Sequence, residues 1–364
     1  MSETTSLRRL TMRTKKIFKQ LDSRWSDLAY PTKGSSFGGN GCGCCACTHI
    51  AIEQEAKKDW TPKTLRKWMV AQGFAEAGHG TTWNGITETL KHIGHKNVVR
   101  IWNDPMSKAW KELDKGNRIG VLLVDNSKTP DGTYWTASGH YVAFTDYRKT
   151  KNGNHWFYIK DSGGRNHDGW YCYEKSIAGA LPKMWIVERI KSPQEKICDK
   201  AKEIADSHKY KYKFYSEKYG KECAICHPHN GKNKGWNCIG YAFACWHHAG
   251  IPCKCSCDVM TDQLYNKILK VSLKEAKRIV SERTGLPIED IRIKRRGGRA
   301  VPQSELKPGD IVVYYTSKGY VHTALWVGDG KIADCTSGRK QQIKYGVKAY
   351  KSMTIKFAIR YKGK

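Results

Sequence analysis

The chain has 364 residues and a formal net charge of +30, from 64 Lys and Arg against 34 Asp and Glu. Its 39% hydrophobic content and 13 tryptophans exclude a disordered chain, and its length suits two domains of roughly 150–200 residues each. No run approaches the roughly 20 apolar residues of a membrane span, and the first twenty residues lack the apolar core of a signal peptide, so cytoplasmic synthesis without a transmembrane segment is expected.

Residues 1–20 read as a basic, weakly amphipathic helix or tail. A glycine-rich stretch, Gly34 to Gly43, leads into a helix expected from Cys42 to about Lys57. Thr61 and Pro62 form an N-cap and first helical residue, followed by Leu65, Trp68 and Met69 at helical spacing. A further helix is expected near Trp83–Ile93, and another ends at Gly116. Ile119–Val124, Tyr141–Thr145, Trp156–Lys160 and Trp185–Ile190 read as strands, and the first domain closes at 190. The polar stretch 191–197, with Ser192 and Pro193, reads as a linker. The second domain, 198–364, opens with a helix at Cys198–His208 and continues with one at Cys238–Ala249, ended by Gly250 and Pro252. Ser272 and Glu275 form a capping box for a basic helix to about Thr284. Strands follow at Ile311–Tyr315, His322–Val327, Lys331–Asp334 and Met353–Tyr361. Helices first and strands after, in both halves, predict two α+β domains of one type.

One chemical pattern occurs twice. Cys42 and Cys238 each open a helix, a strand histidine follows (His140, His322), and an aspartate lies one strand further on (Asp161, Asp334). The dipole of a helix N-terminus stabilises a thiolate, and a neighbouring imidazole can hold the thiol's proton. The two sets thus predict two thiol-dependent hydrolase sites.

The second half resembles the NlpC-type cell-wall cysteine peptidases, which are papain-like. The resemblance rests on Trp236-Asn237-Cys238-Ile239-Gly240, the Leu306–Asp310 turn with its Pro-Gly-Asp, the Val321–Gly330 strand around His322, and Asp334. It implies Cys238 as nucleophile, His322 as base, Asp334 as the residue orienting the imidazole, and cleavage after a D-γ-glutamyl residue. It also implies a pocket tyrosine at Tyr212 or Tyr215. Asn237, Ile239 and Val321 replace the family's aspartate, serine and glycine. The first half resembles papain-like peptidases related to the bacteriocin-leader-processing family, on Gln20 to Trp25, Gly41-Cys42-Gly43, Gly139-His140-Tyr141-Val142 and Tyr158–Gly163. This implies Cys42 as nucleophile, His140 as base, Asp161 as orienter and Gln20 as an oxyanion-hole donor. Cys44 and Cys45 replace the usual small residue and leave open which thiol reacts.

The fourteen cysteines show no even disulfide framework, and mostly reduced thiols are expected. Cys223, Cys226 and the nearby His229 have zinc-ligand spacing, and Cys253, Cys255 or Cys257 could complete a structural zinc site. The His247-His248 pair reads instead as a surface complement to a helix dipole. Positive charge is spread over both halves, with 29 basic and 18 acidic residues in 1–190 and 35 and 16 in 191–364. Such a surface suits a polyanion. The basic helix Lys274–Arg283 and the run Lys294–Arg299 would form a cationic flank. The sequence reading is a bifunctional peptidoglycan hydrolase, endolysin-like, which meets peptidoglycan and anionic wall polymers after host lysis or on a phage particle. The alternatives are a basic nucleic-acid-binding protein with a zinc-stapled module, or one catalytic domain beside a non-catalytic wall-binding one.

Overall fold

The computed structural model describes residues 17–53, 60–213, 223–226, 235–297, 299–316, 318–349 and 353–363. The expected helix within residues 1–20 falls almost entirely outside them. The chain divides into two compact units, Met1–Ile190 and Lys191–Lys364.

In the first unit the helices are α1 (Phe37–Asn40), α2 (Cys42–Glu53), α3 (Pro62–Ala71), α4 (Trp83–His92) and α5 (Met106–Leu113). A hairpin of β1 (Ala75–Glu76) and β2 (Gly80–Thr81) separates α3 from α4. The main sheet contains β3 (Val98–Ile101), β4 (Arg118–Asp125), β5 (Gly139–Lys149), β6 (His155–Lys160), β7 (Gly169–Cys172) and β8 (Lys183–Glu188). It is antiparallel throughout, in the order β3-β8-β4-β5-β6-β7. Thr61 caps α3 in a reciprocal box with Thr64, and Pro62 opens the helix as expected.

Every residue of α2 after Cys42 is buried, so this helix is wrapped by the unit rather than amphipathic. Its last described residue, Glu53, accepts from Lys160 Nζ at 2.6 Å, and both side chains are 3% exposed. An ion pair so far from water is held by its partners' mutual attraction, and removing one partner strands the other charge. Glu53→Ala is expected to lower the stability of this unit by about 3–5 kcal/mol, whereas Glu53→Leu combined with Lys160→Met recovers most of that loss. Urea unfolding followed by tryptophan fluorescence measures both, and equal stability of Glu53→Ala and wild type would refute the account.

The second unit repeats the plan. Its helices are α6 (Pro193–Asp206), α7 (Cys238–His248), α8 (Asp262–Lys270) and α9 (Leu273–Thr284). Short β9 (Lys211–Tyr212) and β10 (Gly235–Trp236) pair in parallel. The main sheet contains β11 (Ile291–Arg295), β12 (Ile311–Tyr315), β13 (Val321–Gly328), β14 (Lys331–Cys335), β15 (Ile343–Lys348) and β16 (Ile355–Tyr361), in the order β11-β16-β12-β13-β14-β15. In both sheets, therefore, the first strand lies at an edge beside the last, and the second to fifth follow in sequence order. Each unit is an α+β domain with its helices packed on a six-stranded antiparallel sheet.

The Leu306–Asp310 turn has a structural job. Asp310 is fully buried and receives Arg360 through two bonds, at 2.6 and 2.7 Å, which clamp the start of β12 to β16. Gly309 adopts φ +85°, and its carbonyl accepts from Trp246 Nε1 of α7 at 2.9 Å.

Three expectations need correction. The stretch read as linker 191–197 carries the start of α6, because Ser192 and Glu195 form a full capping box with Pro193 between them. At α9 only half the expected box exists: Ser272 accepts from the Glu275 N–H, while the Glu275 carboxylate turns to Arg278. The basic run from Lys294 is no free flank, since Lys294 and Arg295 belong to β11, and Lys294 and Arg296 both reach Glu305. Among the described residues no helix is long and apolar enough to cross a membrane.

Candidate active sites

In the first unit Cys42 is the first residue of α2, and α2 packs on β5. The glycines on either side are required by space. A Cβ on Gly43 would lie 2.5 Å from Thr81 Oγ1, and one on Gly41 would lie 2.6 Å from the Phe37 carbonyl. His140 is the second residue of β5. Lys160 at the end of β6 pairs with Ala143, so one further step of the ladder places Asp161 beside Val142, diagonal to His140 on the same face.

His140 Nε2 lies 2.6 Å from Asp161 Oδ1, which also accepts the Gly163 N–H at 2.7 Å. Asp161 thus occupies one ring nitrogen, and Cys42 lies close enough to the imidazole for the two to shift each other's protonation. Burial alone would lower the His140 pKa, but Asp161 and Cys42 together raise it to about 10. Burial likewise pushes the Cys42 thiol up, yet His140 and the N–H groups of Tyr141 and Gly43 hold it below its ordinary value. The Asp161 carboxyl, despite burial, is held far below the usual carboxylate range by His140 and His167. These three shifts all favour the thiolate–imidazolium form over the neutral pair, with the carboxylate bracing the ring.

The structure also separates Cys42 from its neighbouring thiols. Cys44, Cys45 and Cys47 are buried on the core side of α2, and burial raises each thiol above its ordinary value. Of these four thiols, Cys42 is the one that an imidazole, His140, draws below its ordinary value. Gln20 bridges the two sides of the site: its Nε2 donates to the Gly38 carbonyl at 2.8 Å, its Oε1 accepts from Ser162 Oγ, and its backbone N–H donates to the Ser162 carbonyl. One amide hydrogen is spent on Gly38. Lys19 is a positioning residue that the sequence reading missed. Its Nζ donates to the Asp161 carbonyl at 2.8 Å and pairs with Asp168, whose carboxylate accepts the Asp161 N–H at 2.9 Å.

The second unit reproduces the register. Cys238 opens α7, which packs on β13 and β14. Asn237 is its N-cap, accepting from Gly240 N at 2.7 Å and donating to the Cys257 carbonyl at 3.2 Å. An asparagine performs this capping as well as the family's aspartate would. Asp334 pairs with Ala324, again diagonal to a histidine two residues earlier, His322. Burial lowers the His322 pKa, but Asp334 and Cys238 raise it to about 9. The bracing is looser here: His322 Nε2 stands 3.7 Å from Asp334 Oδ2, and Arg339 binds Oδ1. Tyr212 lies close enough for the Cys238 charge, after burial, to help raise its phenol to about 12. Tyr215 and His229 lie outside the described residues.

All fourteen cysteines are free thiols. Cys223 and Cys226 converge with an unexpected partner, His248, and Cys226 also meets Cys255 and His247. His248 Nε2 lies 3.3 Å from Cys223 Sγ and 3.5 Å from Cys226 Sγ, and Cys226 and Cys255 are 3.4 Å apart. The expected surface role of His248 is therefore wrong, because the end of α7 turns it inward onto the thiols. Cys253 and Cys257 do not join: Cys253 faces the Phe243 carbonyl, and Cys257 packs at Gly240.

In each unit a cysteine-bearing helix lies on an antiparallel sheet that supplies histidine and aspartate, so the two units are α+β domains of one plan. No family model and no curated protein matches the chain. Similar solved structures include the peptidase domain of Streptococcus ComA, a bi-functional ABC transporter involved in quorum sensing, at 15% identity and TM-score 0.31, covering 48% of this chain and 98% of that one. A putative C39-like peptidase from Bacillus anthracis gives 14% and 0.30, covering 50% and 98%. NlpC1 from Trichomonas vaginalis gives 12% and 0.25, covering 67% and 69%.

Proposed function

We propose that the protein is a peptidoglycan hydrolase with two cysteine peptidase sites, Cys42–His140–Asp161 and Cys238–His322–Asp334, which cut stem peptides or cross-bridges of a bacterial wall. The observation that carries this reading is the recurrence of one thiol–imidazole–carboxylate arrangement at the same diagonal register in two sheets of the same strand order. The thiolate attacks the scissile carbonyl and forms an S–C bond. The oxyanion is met by the Gln20 amide in the first unit and by backbone N–H groups at the start of α7 in the second. The imidazolium then gives its proton to the leaving amine as the C–N bond breaks. Water, deprotonated by the neutral imidazole, releases the acid and restores the thiol.

The wall as substrate is supported by the sequence resemblance of the second unit, which points to a bond after D-γ-glutamate. The charge of +30 supports it too, since it would hold the enzyme to anionic wall polymers. The reading places the protein at the wall after phage-induced lysis or on a phage particle. A second reading, catalysis in the first unit alone, draws on the looser His322–Asp334 contact and the grip of Arg339 on Asp334.

The test is digestion of purified sacculi across pH, with released peptides identified by mass spectrometry. Catalysis needs the imidazolium, so each activity is expected to fall as pH rises, near 10 for the first unit and near 9 for the second. The folded pKa of each histidine lies above its ordinary 6.5. Its contribution to stability is therefore complete below that value and is lost as pH rises through about 10 and about 9 respectively. Cys238→Ala and Cys42→Ala isolate the two profiles. Intact stem peptides at every pH would reject the proposal.

A further inference from the structure

We infer that Cys223, Cys226, Cys255 and His248 form a closed tetrahedral site for a soft divalent metal, zinc by its chemistry, and that this metal positions the helix carrying Cys238. The metal assignment stands on geometry alone, while its effect on Cys238 rests on the proposed function.

Zinc–sulfur bonds of about 2.3 Å and zinc–nitrogen bonds of about 2.0 Å at tetrahedral angles separate ligand atoms by about 3.8 Å (S···S) and about 3.5 Å (S···N). The Cys223–His248, Cys226–His248 and Cys226–Cys255 separations of 3.3, 3.5 and 3.4 Å are close to these values, and Cys255, which joins through Cys226, swings toward His248 for all four groups to meet one ion. A disulfide needs a sulfur separation of about 2.05 Å and does not describe the Cys226–Cys255 contact. Thiols are weak donors, so Cys223 and Cys226 facing one imidazole, with Cys255 against Cys226, satisfy each other poorly. Three thiolates and a neutral imidazole around one cation satisfy all four groups, with the thiol protons released to solvent. His247 also lies near Cys226 and Cys255, but its Nδ1 is 2.7 Å from the Cys253 carbonyl and therefore carries the hydrogen there. Such a bond is the usual outer contact of a metal-ligating histidine, so His247 is the competing nitrogen ligand, and His248 is preferred because it lies against both sulfurs of the Cys223–Cys226 turn.

The ligands come from three places: the turn at Cys223–Cys226, the last residue of α7, and the segment after it. Two residues beyond Cys255, the Cys257 carbonyl accepts from Asn237, the N-cap of α7, and Cys257 Sγ would lie 2.6 Å from a Cβ on Gly240. The metal thereby fixes the C-terminal end of α7 directly and its N-terminal end through Cys257, with Cys238 between Asn237 and Gly240.

Full-length protein purified in reducing buffer without chelator is analysed by elemental mass spectrometry, then stripped and titrated with cobalt. About one zinc per chain is expected, together with the visible bands of tetrahedral cobalt and a thiolate-to-cobalt charge-transfer band. Cys226→Ser and His248→Ala are expected to reduce bound metal to about a tenth, whereas Cys253→Ser and His247→Ala retain it. The wild-type cobalt spectrum keeps the test valid if a ligand variant fails to fold. Stripping is expected to slow iodoacetamide labelling of Cys238 about tenfold and to leave Cys42 labelling unchanged. No zinc and no tetrahedral cobalt spectrum would overturn the site. Loss of metal from His247→Ala but not His248→Ala would overturn the ligand set. Bound zinc with unchanged Cys238 labelling after stripping would overturn the positioning role. Bound zinc in a protein without peptidase activity would leave the metal site standing and reject the proposed function instead.

Discussion

Cys42→Ala is expected to eliminate one set of cleaved wall peptides and Cys238→Ala the other, each by about 10³-fold or more, with the double variant inactive. The magnitude follows from the chemistry: without sulfur there is no acyl-enzyme, and only binding and the oxyanion donors remain. Turbidity loss of sacculi gives the total rate, and mass spectrometry of the soluble peptides assigns each bond to a unit. Substrate-independent confirmation comes from iodoacetamide at mildly acidic pH. Cys42, whose thiol His140 holds below its ordinary value, is expected to label ahead of Cys44, Cys45 and Cys47, whose thiols are pushed up by burial. Lysis unchanged in the double variant would remove the thiol mechanism altogether, and loss with Cys42→Ala alone would make the first unit the sole enzyme.

The second large effect separates the two sites. Asp161→Asn is expected to lower kcat about 10⁴-fold with little change in KM, whereas Asp334→Asn is expected to cost its unit only about tenfold. In the first unit the carboxylate is buried, stands 2.6 Å from the imidazole and is itself held by Gly163. An amide there would pair with the wrong tautomer. In the second the separation is 3.7 Å and Arg339 already shares the carboxylate. Arg339→Gln provides the complementary test: freeing Asp334 is expected to raise the activity of the second unit several-fold. Equal losses for the two asparagine variants would show that the difference in bracing has no catalytic weight.

Much of this organisation could be read in the sequence because it is local. Helix starts at Cys42 and Cys238 follow from the flanking Gly41, Gly43 and the capping Asn237. The strands carrying His140 and His322 are continuous apolar runs, as expected for strands buried on both faces. What escaped were short or outlying strands. The four residues of Val98–Ile101 give little periodicity, and the cations of Ile291–Arg295 conceal its alternation of buried isoleucines. Glu53–Lys160, Lys19–Asp161 and His248 with its thiols escaped for a different reason. Each joins residues distant in sequence, and no local pattern announces that a charged or histidine side chain will turn inward.

The two halves of each site are assembled by different kinds of contact. His140 and Asp161 are separated by one strand connection and fixed by a hydrogen-bonded ladder, as are His322 and Asp334. Each cysteine reaches its histidine only when a helix about a hundred residues earlier in the chain docks on the sheet. Contacts between distant segments form late in folding because they close long loops, and sub-global opening separates cooperative pieces of a structure at different free energies. The base and its carboxylate thus form one preassembled piece and the thiol another. An excursion that lifts α2 or α7 from its sheet would part the thiol from the imidazole while leaving the strands paired. The buried Glu53–Lys160 contact, one residue from Asp161, is then a latch on chemical competence: it ties the far end of the cysteine helix to the strand that delivers the carboxylate.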